Sequence, residues 1–162
     1  PTYVKVTNGY EDASASGAEY PLQVMNPHYL RRAHSVFDNI GWLREAWTNP
    51  VFISTADAEA AGVSDGDTVL VSSPYGQCVR NACVYAGLMP GVVALPHGAW
   101  VAVDEETGID AAGADNYLTG PAPNGQGVSG YNSALCKIEK YTGEALAPDA
   151  EQPLRIVCKD GE

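Results

Sequence analysis

Thr68-Val69-Leu70-Val71-Ser72, then Ser73-Pro74-Tyr75-Gly76, then Gln77-Cys78-Val79-Arg80-Asn81-Ala82-Cys83-Val84-Tyr85 is the stretch that decides the fold. Residues 68–72 are aliphatic or β-branched between short polar side chains, which predicts a strand. The next four place Pro second and Gly fourth, as a type I turn prefers. Residues 77–85 then return as a second strand, with Cys78 and Cys83 on opposite faces because they are an odd number of positions apart. Working outward, Asp65-Gly66 turns into this hairpin, and before it Thr55 is read as the cap of a short helix, Ala56 to Ala61, with Gly62 just past its end. Val51 to Ser54 is a short strand. Downstream, Met89-Pro90-Gly91 turns into Val92 to Pro96, and Ala134 to Tyr141 alternates as a closing strand. Tyr20 to Met25 opens the set. Asp38 is read as the N-cap of a second short helix carrying Ile40, Leu43 and Trp47 and ended by Asn49-Pro50. Short strands, short helices and long loops predict a mainly β domain, a small closed or half-closed barrel rather than a parallel α/β sheet.

The chain has 162 residues, 45% of them hydrophobic, which suits one globular domain. We divide it into a connector over 1–19, the domain over 20–141 and a tail over 142–162, with Leu154 to Cys158 as a further edge strand. Pro1 stands where an initiator Met would, so the chain is read as a fragment of a longer protein. No apolar run approaches the roughly 20 residues that cross a bilayer, so no direct membrane insertion is expected. The net charge of −11 argues against nucleic acid as a partner. The four cysteines form no C-x-x-C pair, and with the three histidines they show no metal-ligand spacing, so no metal site is expected. Neither a P-loop nor a G-x-G-x-x-G opening a helix is present.

Within this acidic chain, His28, Arg31, Arg32 and His34 fall in the loop after the first strand, together with Asn26 and Ser35. Phosphates are held by such donors. Residues 104–133 are rich in Gly, Asp and Asn and too long for an ordinary connection, which predicts a functional loop; it offers Asn116, Thr119, Asn124, Gln126, Asn132 and Ser133. If both loops leave the same end of a barrel they make two walls of one pocket. The plain alternative is solvated polar loops. Catalytic groups are scarce. His34-Ser35 lacks an orienting acid and neighbouring side chains seldom face each other, and Asp104-Glu105-Glu106 reads as an exposed charge run. Trp42, Trp47 and Trp100 read first as packing anchors, with Trp100 set apart because His97-Gly98-Ala99-Trp100 lies where a strand gives way to a loop.

An ordered series of short motifs resembles the C-terminal domain of the dimethyl sulfoxide reductase family of molybdenum enzymes. Tyr20-Pro21-Leu22-Gln23, Pro27-His28, Arg32-Ala33-His34-Ser35, Asp38-Asn39 and Trp42-Leu43-Arg44-Glu45 come first. Asp57-Ala58 to Gly62, Asp65-Gly66-Asp67, Gly76-Gln77, Pro90-Gly91-Val92-Val93, Gly98-Ala99-Trp100, Asn116-Tyr117-Leu118-Thr119 and Ile138-Glu139-Lys140 follow in order, over residues 20–141. The resemblance implies a six-stranded double-psi β-barrel that binds molybdopterin guanine dinucleotide, in the bis form with molybdenum in the whole enzyme. It implies that His28, Arg32, His34 and Ser35 contact phosphates or pterin, that Gly98 and Trp100 lie near a pterin, and that Asn116 reads the guanine, with Gln126 and Asn132 as further cofactor contacts. Val101 stands where the family usually has Tyr. The family's metal ligand and iron–sulfur cysteines belong to other domains, so this chain is expected to carry no catalytic residue, to be inactive alone and to retain no cofactor alone. The motifs from Asp38 to Glu45 lean toward the S- and N-oxide reductases. That class implies as partners the remaining domains of the catalytic subunit, an iron–sulfur electron-transfer subunit and a membrane anchor, and export to the bacterial cell envelope. Two other readings stand beside it: a non-catalytic double-psi barrel module for protein interaction, which would show an apolar peptide-binding face, and a small self-processing barrel enzyme of the aspartate decarboxylase type.

Overall fold

The computed structural model describes residues 1–123, 125–128, 130 and 133–143, the side chain of Glu45 excepted. In chain order the elements are α1 (Tyr10–Ala13), β1 (Leu22–Met25), α2 (Gly41–Ala46), β2 (Pro50–Ile53), α3 (Thr55–Ala61), β3 (Thr68–Ser72), β4 (Gln77–Val84), β5 (Val92–Ala94), a 3₁₀ turn η1 (Asp115–Leu118) and β6 (Leu135–Lys140). The six strands close into a barrel in the order β1-β5-β2-β4-β3-β6. The decisive hairpin forms with Val71 opposite Cys78 and Leu70 opposite Val79, and the Ser73 amide closes the turn on the Gly76 carbonyl at 2.9 Å.

β1 runs parallel to β5 and β2 parallel to β4, while the other four neighbours are antiparallel. Advancing every strand by three places maps this pairing onto itself, so two half-chains, β1–β3 and β4–β6, interlock about a pseudo-two-fold axis. This is the double-psi β-barrel. Every strand pair joins one half to the other. The core is Val51, Ile53, Val69, Val71, Val93, Leu95, Cys78 and Cys136, with Leu22, Val24 and Ile138 closing it. Each aliphatic side chain taken out of water here contributes about 1.5–3 kcal/mol. The alternation along β4 puts Cys78, Arg80 and Ala82 inward. Arg80 thus lies wholly inside, and its guanidinium donates to the carbonyls of Gly113, Pro50 and Pro96 at 2.6–3.0 Å. Burial lowers its pKa to about 10, so it remains a cation at neutral pH.

Strand direction locates the loops. β1, β3 and β5 end, and β2, β4 and β6 begin, at one pole of the barrel. The three connections there are residues 26–49, 73–76 and 95–134. The connections 54–67 and 85–91 lie at the opposite pole, as do the start of β1 and the end of β6. The condition set by the sequence, that both polar loops leave one end, is met.

Two local expectations are corrected. Asp38 does not cap α2; the helix starts at Gly41 with Ile40 as N-cap, and Asp38 is a buried carboxylate with other partners. Ser54, one position earlier than Thr55, caps α3 by accepting the Asp57 amide at 3.1 Å. The segment 1–19, read as a connector, carries the short helix α1. Pro50 opens β2, a place where its missing N–H costs no ladder bond, and Gly62 ends α3 in the left-handed region at φ 64°. The edge strand read at Leu154 to Cys158, like most of the 142–162 tail, lies outside the described residues.

Candidate functional site

The first loop is short of regular structure, so side chains hold it. Asp38 is 2% exposed. Its Oδ1 accepts from Arg31 Nη2 and from Arg32 Nη1, both at 2.9 Å, and its Oδ2 accepts the Trp100 amide at 3.1 Å. One carboxylate therefore joins two guanidinium groups to the third loop. Arg32 also donates to the carbonyls of His97 and Pro96 and to Asn49 Oδ1, at 2.6–3.1 Å. Asn49 in turn donates to the carbonyls of Ala112 and Gly113. Buried charges are tolerable when paired and hydrogen-bonded in this way.

The third loop is folded back by two more buried carboxylates. Asp110 accepts the amides of Ala102, Ala112 and Ala114. Asp115, at the start of η1, accepts the Gly98 amide at 3.0 Å and Asn26 Nδ2 at 3.1 Å. The two backbones also come into direct contact at Gly98. Gly98 has φ 91°, and a Cβ placed there would lie 2.0 Å from the His34 carbonyl oxygen. Only glycine lets the backbones approach so closely. His34 itself takes the left-handed region at φ 52°, and Trp100 Nε1 donates to the Ser35 carbonyl at 3.0 Å.

This contact brings the chain's three histidines together. The ring centroids of His28, His34 and His97 are 4.6–5.0 Å apart in a triangle of edge and tilted contacts. Burial, with the neighbouring His28 and His34, lowers the His97 pKa below its ordinary value, and Asp115 opposes this. His97 Nε2 is buried without a hydrogen-bond partner. Among the described residues no three His, Cys, Asp or Glu side chains are arranged to hold a metal ion.

Of the residues read from sequence, His28, His34, Ser35, Trp100 and Asn116 are exposed and Gly98 half-buried, and all sit on the loops of this one pole. Gly98 approaches the His34 backbone and donates its amide to Asp115, the residue before Asn116. Arg32 is placed otherwise. Its guanidinium is 1% exposed and engaged by protein acceptors on three segments. Gln126 is exposed on the stretch whose Gly120 meets the Tyr75 ring and whose Gly125 meets Val4, at the hairpin margin of the surface. Asn132 and Asn124 lie outside the described residues. Sequence reasoning missed Asp38, Asp110, Asp115 and His97 as site builders. The available signals were weak: Asp115 directly precedes Asn116, and His97 directly precedes Gly98.

The chain is an acidic double-psi barrel with its three imidazoles, Ser35 and Asn116 on the loops of one pole. The chain belongs to the family described as the molybdopterin dinucleotide binding domain, whose model matches residues 22–134. It is 36% identical over 143 residues to a probable dimethyl sulfoxide reductase chain of Escherichia coli, covering 86% of this chain and 17% of that protein. A trimethylamine-N-oxide reductase of Haemophilus influenzae is 35% identical over 151 residues, covering 85% of this chain and 18% of that protein. The dimethyl sulfoxide/trimethylamine N-oxide reductase of Cereibacter sphaeroides is 34% identical over 143 residues, with 82% and 17% covered. The chain thus spans about one sixth of the length of these relatives. Acetylene hydratase from Pelobacter acetylenicus shares the fold, with a TM-score of 0.58 and 22% identity over 76% of this chain and 19% of that one.

Proposed function

We propose that the loop pole of this barrel holds molybdopterin guanine dinucleotide as one domain of a larger molybdenum oxidoreductase, an S- or N-oxide reductase by its relatives. The observation that carries the reading is the linkage of His34 and Ser35 through Gly98 and Asp115 to Asn116. It supports the reading by joining, at one pole, the two loops that carry these side chains. The residues fit the group. The surface is exposed, the chain's three imidazoles line it, and the local cations Arg31 and Arg32 outnumber the Asp38 carboxylate between them. When bound, the cofactor would supply the redox chemistry; His28, His34 and Ser35 would hold its phosphates or pterin, Asn116 the guanine edge, and Trp100 would flank the pterin beside Gly98. Gln126 and Asn132 are further contacts on this reading. Arg32 acts one step back, by fixing the loop backbone.

The partners proposed are the remaining domains of the catalytic subunit, an iron–sulfur electron-transfer subunit and a membrane anchor, with the assembly in the bacterial cell envelope. A second reading, a protein-interaction module, is favoured by an apolar concavity of about 290 Å³ on the barrel wall, lined by Met25, Tyr29, Phe52, Tyr85 and Leu88 and reaching His28. The two surfaces share His28, and Asn116 does not line this concavity. Asn116→Ala in the protein isolated with its cofactor should lower both molybdenum and guanine per polypeptide, with the melting temperature unchanged. Wild-type contents of both would refute the dinucleotide reading.

A further inference from the structure

We propose that the groove between α3, β1 and β6, at the pole opposite the loops, is the docking site of this chain's own segment Leu154-Arg155-Ile156-Val157-Cys158-Lys159. The inference stands apart from the dinucleotide reading and concerns a different surface.

The groove has a volume of about 300 Å³. Leu22 and Ile138, both buried, form its floor, and Pro21, Ala60, Ala61 and Gly91 its sides. The polar groups at its rim are already engaged. Asp57 Oδ2 accepts from the Gly91 amide at 2.8 Å and from Ser54 Oγ at 2.7 Å, and Lys137 pairs with Glu139 at 3.0 Å. The interior therefore suits apolar side chains. A second hollow of about 150 Å³ shares Pro21 and Gly91 with it and runs on to Met89 and Val92, so the two form one furrow. In an extended segment side chains two positions apart point the same way, about 6.6 Å from one another. Leu154, Ile156 and Cys158 make such a row, and Ile156 and Val157 are β-branched. The row has no sheet to join, because each of the six described strands already has two neighbours and no edge is open for strand addition.

Reach and charge select this occupant. Gly143 is five positions beyond Ile138 and so lies at most about 18 Å from the groove floor. Leu154 is eleven positions beyond Gly143, a length that spans up to about 36 Å, enough to fold back. A segment tethered in this way acts at an effective concentration on the order of millimolar, which a separate partner protein would have to exceed. Leu154 to Lys159 carries two cations and no carboxylate in a chain of net charge −11. Asp57 of α3 and Glu139 of β6, beside Lys137, supply carboxylates at the rim for Arg155, which falls on the opposite face from Leu154 and Ile156.

The test uses the whole 162-residue chain and one variant on each side of the contact. Ile156→Asp places a charge in the apolar row and leaves the barrel untouched. Ala60→Lys, at an exposed position of α3, blocks the groove and repels Arg155 while leaving the segment unchanged. By NMR, Ile156→Asp should move the amide signals of Ala60, Ala61, Gly91 and Ile138, and the change should be the same in dilute and concentrated samples. Cys158, facing the furrow, should react slowly with iodoacetamide in the native chain and about tenfold faster in Ala60→Lys, as expected of a segment docked about nine-tenths of the time. Shifts confined to the neighbours of residue 156 along the chain, with Cys158 equally reactive in both proteins, would overturn the proposal. Shifts at Met25, Phe52 and Leu88 would overturn it by moving the segment to the other concavity, and shifts that vanish on dilution would overturn it in favour of a second copy of the chain. None of these outcomes touches the dinucleotide reading, which cofactor retention in the Asn116 variant decides separately.

Discussion

Removal of the Asp38 carboxylate tests how the loop pole is held. Asp38→Ala deletes the acceptor shared by Arg31 Nη2 and Arg32 Nη1 and the partner of the Trp100 amide. Both guanidinium groups are nearly inaccessible, with side chains 8% and 1% exposed, so water cannot readily replace the lost anion. Breaking a buried ion pair by removing one partner costs about 3–5 kcal/mol. Against a total stability of about 5–15 kcal/mol for a domain, this is a large fraction. For a chain of this size it corresponds to a fall in melting temperature of roughly 6–20 °C. Differential scanning calorimetry with urea titration at pH 7 gives the measurement, and an unchanged urea slope would show that the unfolded state is the same. A loss below about 1 kcal/mol would refute the reasoning, because it would mean that Arg31 and Arg32 find solvent or other acceptors without cost.

Two further outcomes follow from local geometry. Gly98→Ala must leave φ 91° or push aside the His34 carbonyl, which lies 2.0 Å from the new Cβ; the strained backbone alone costs about 1–3 kcal/mol, and the histidine triangle should separate, seen as altered ring shifts by NMR. Burial raises the Cys78 thiol to about 12 and pushes Cys136 up as well. At pH 8 the Cys78 thiolate is then roughly one part in ten thousand. Native protein treated with iodoacetamide should therefore be alkylated at the half-buried Cys83 before Cys78 or Cys136, with the latter two reacting only on unfolding; peptide mass mapping that found Cys78 modified first would contradict the inward register of β4.

The strands were legible because their signals are local. Thr68 to Tyr85 alternates around a Pro/Gly turn, and neither neighbours nor ligands are needed to read it. The N-caps were less so: Ser54 and Thr55 are both good caps, and the backbone, not the side chain, chooses between them. Asp38 carries a capping side chain but is drawn away by two arginines and an amide from loops distant in sequence. The same holds for Arg32. A cation in a polar loop looks like a ligand donor until the parallel pairing of β1 with β5 brings His97 and Pro96 alongside and buries it. Arg80 was read only as part of an alternating strand; that its inward position would be filled by a guanidinium depends on three carbonyls from separate segments. The exposed members of the site, His28, His34, Ser35 and Asn116, were legible as residue types, but their shared pole rests on strand direction.

The interlocked pairing also sets the timetable of synthesis. Because each strand of β1–β3 bonds only to strands of β4–β6, the first three strands have no ladder partner until β4 has been made. Val69 to Val71 finds β4 across its hairpin and Val51 to Ile53 finds β4 and β5, but the barrel stays open until residues beyond Leu135 have emerged, since β6 closes β1 onto β3. Contacts so remote in sequence make for slow folding and a long exposure of sticky segments. The loop pole, assembled from segments on both sides of that divide, is complete only when β6 is in place, so any ligand there is loaded after the barrel has closed.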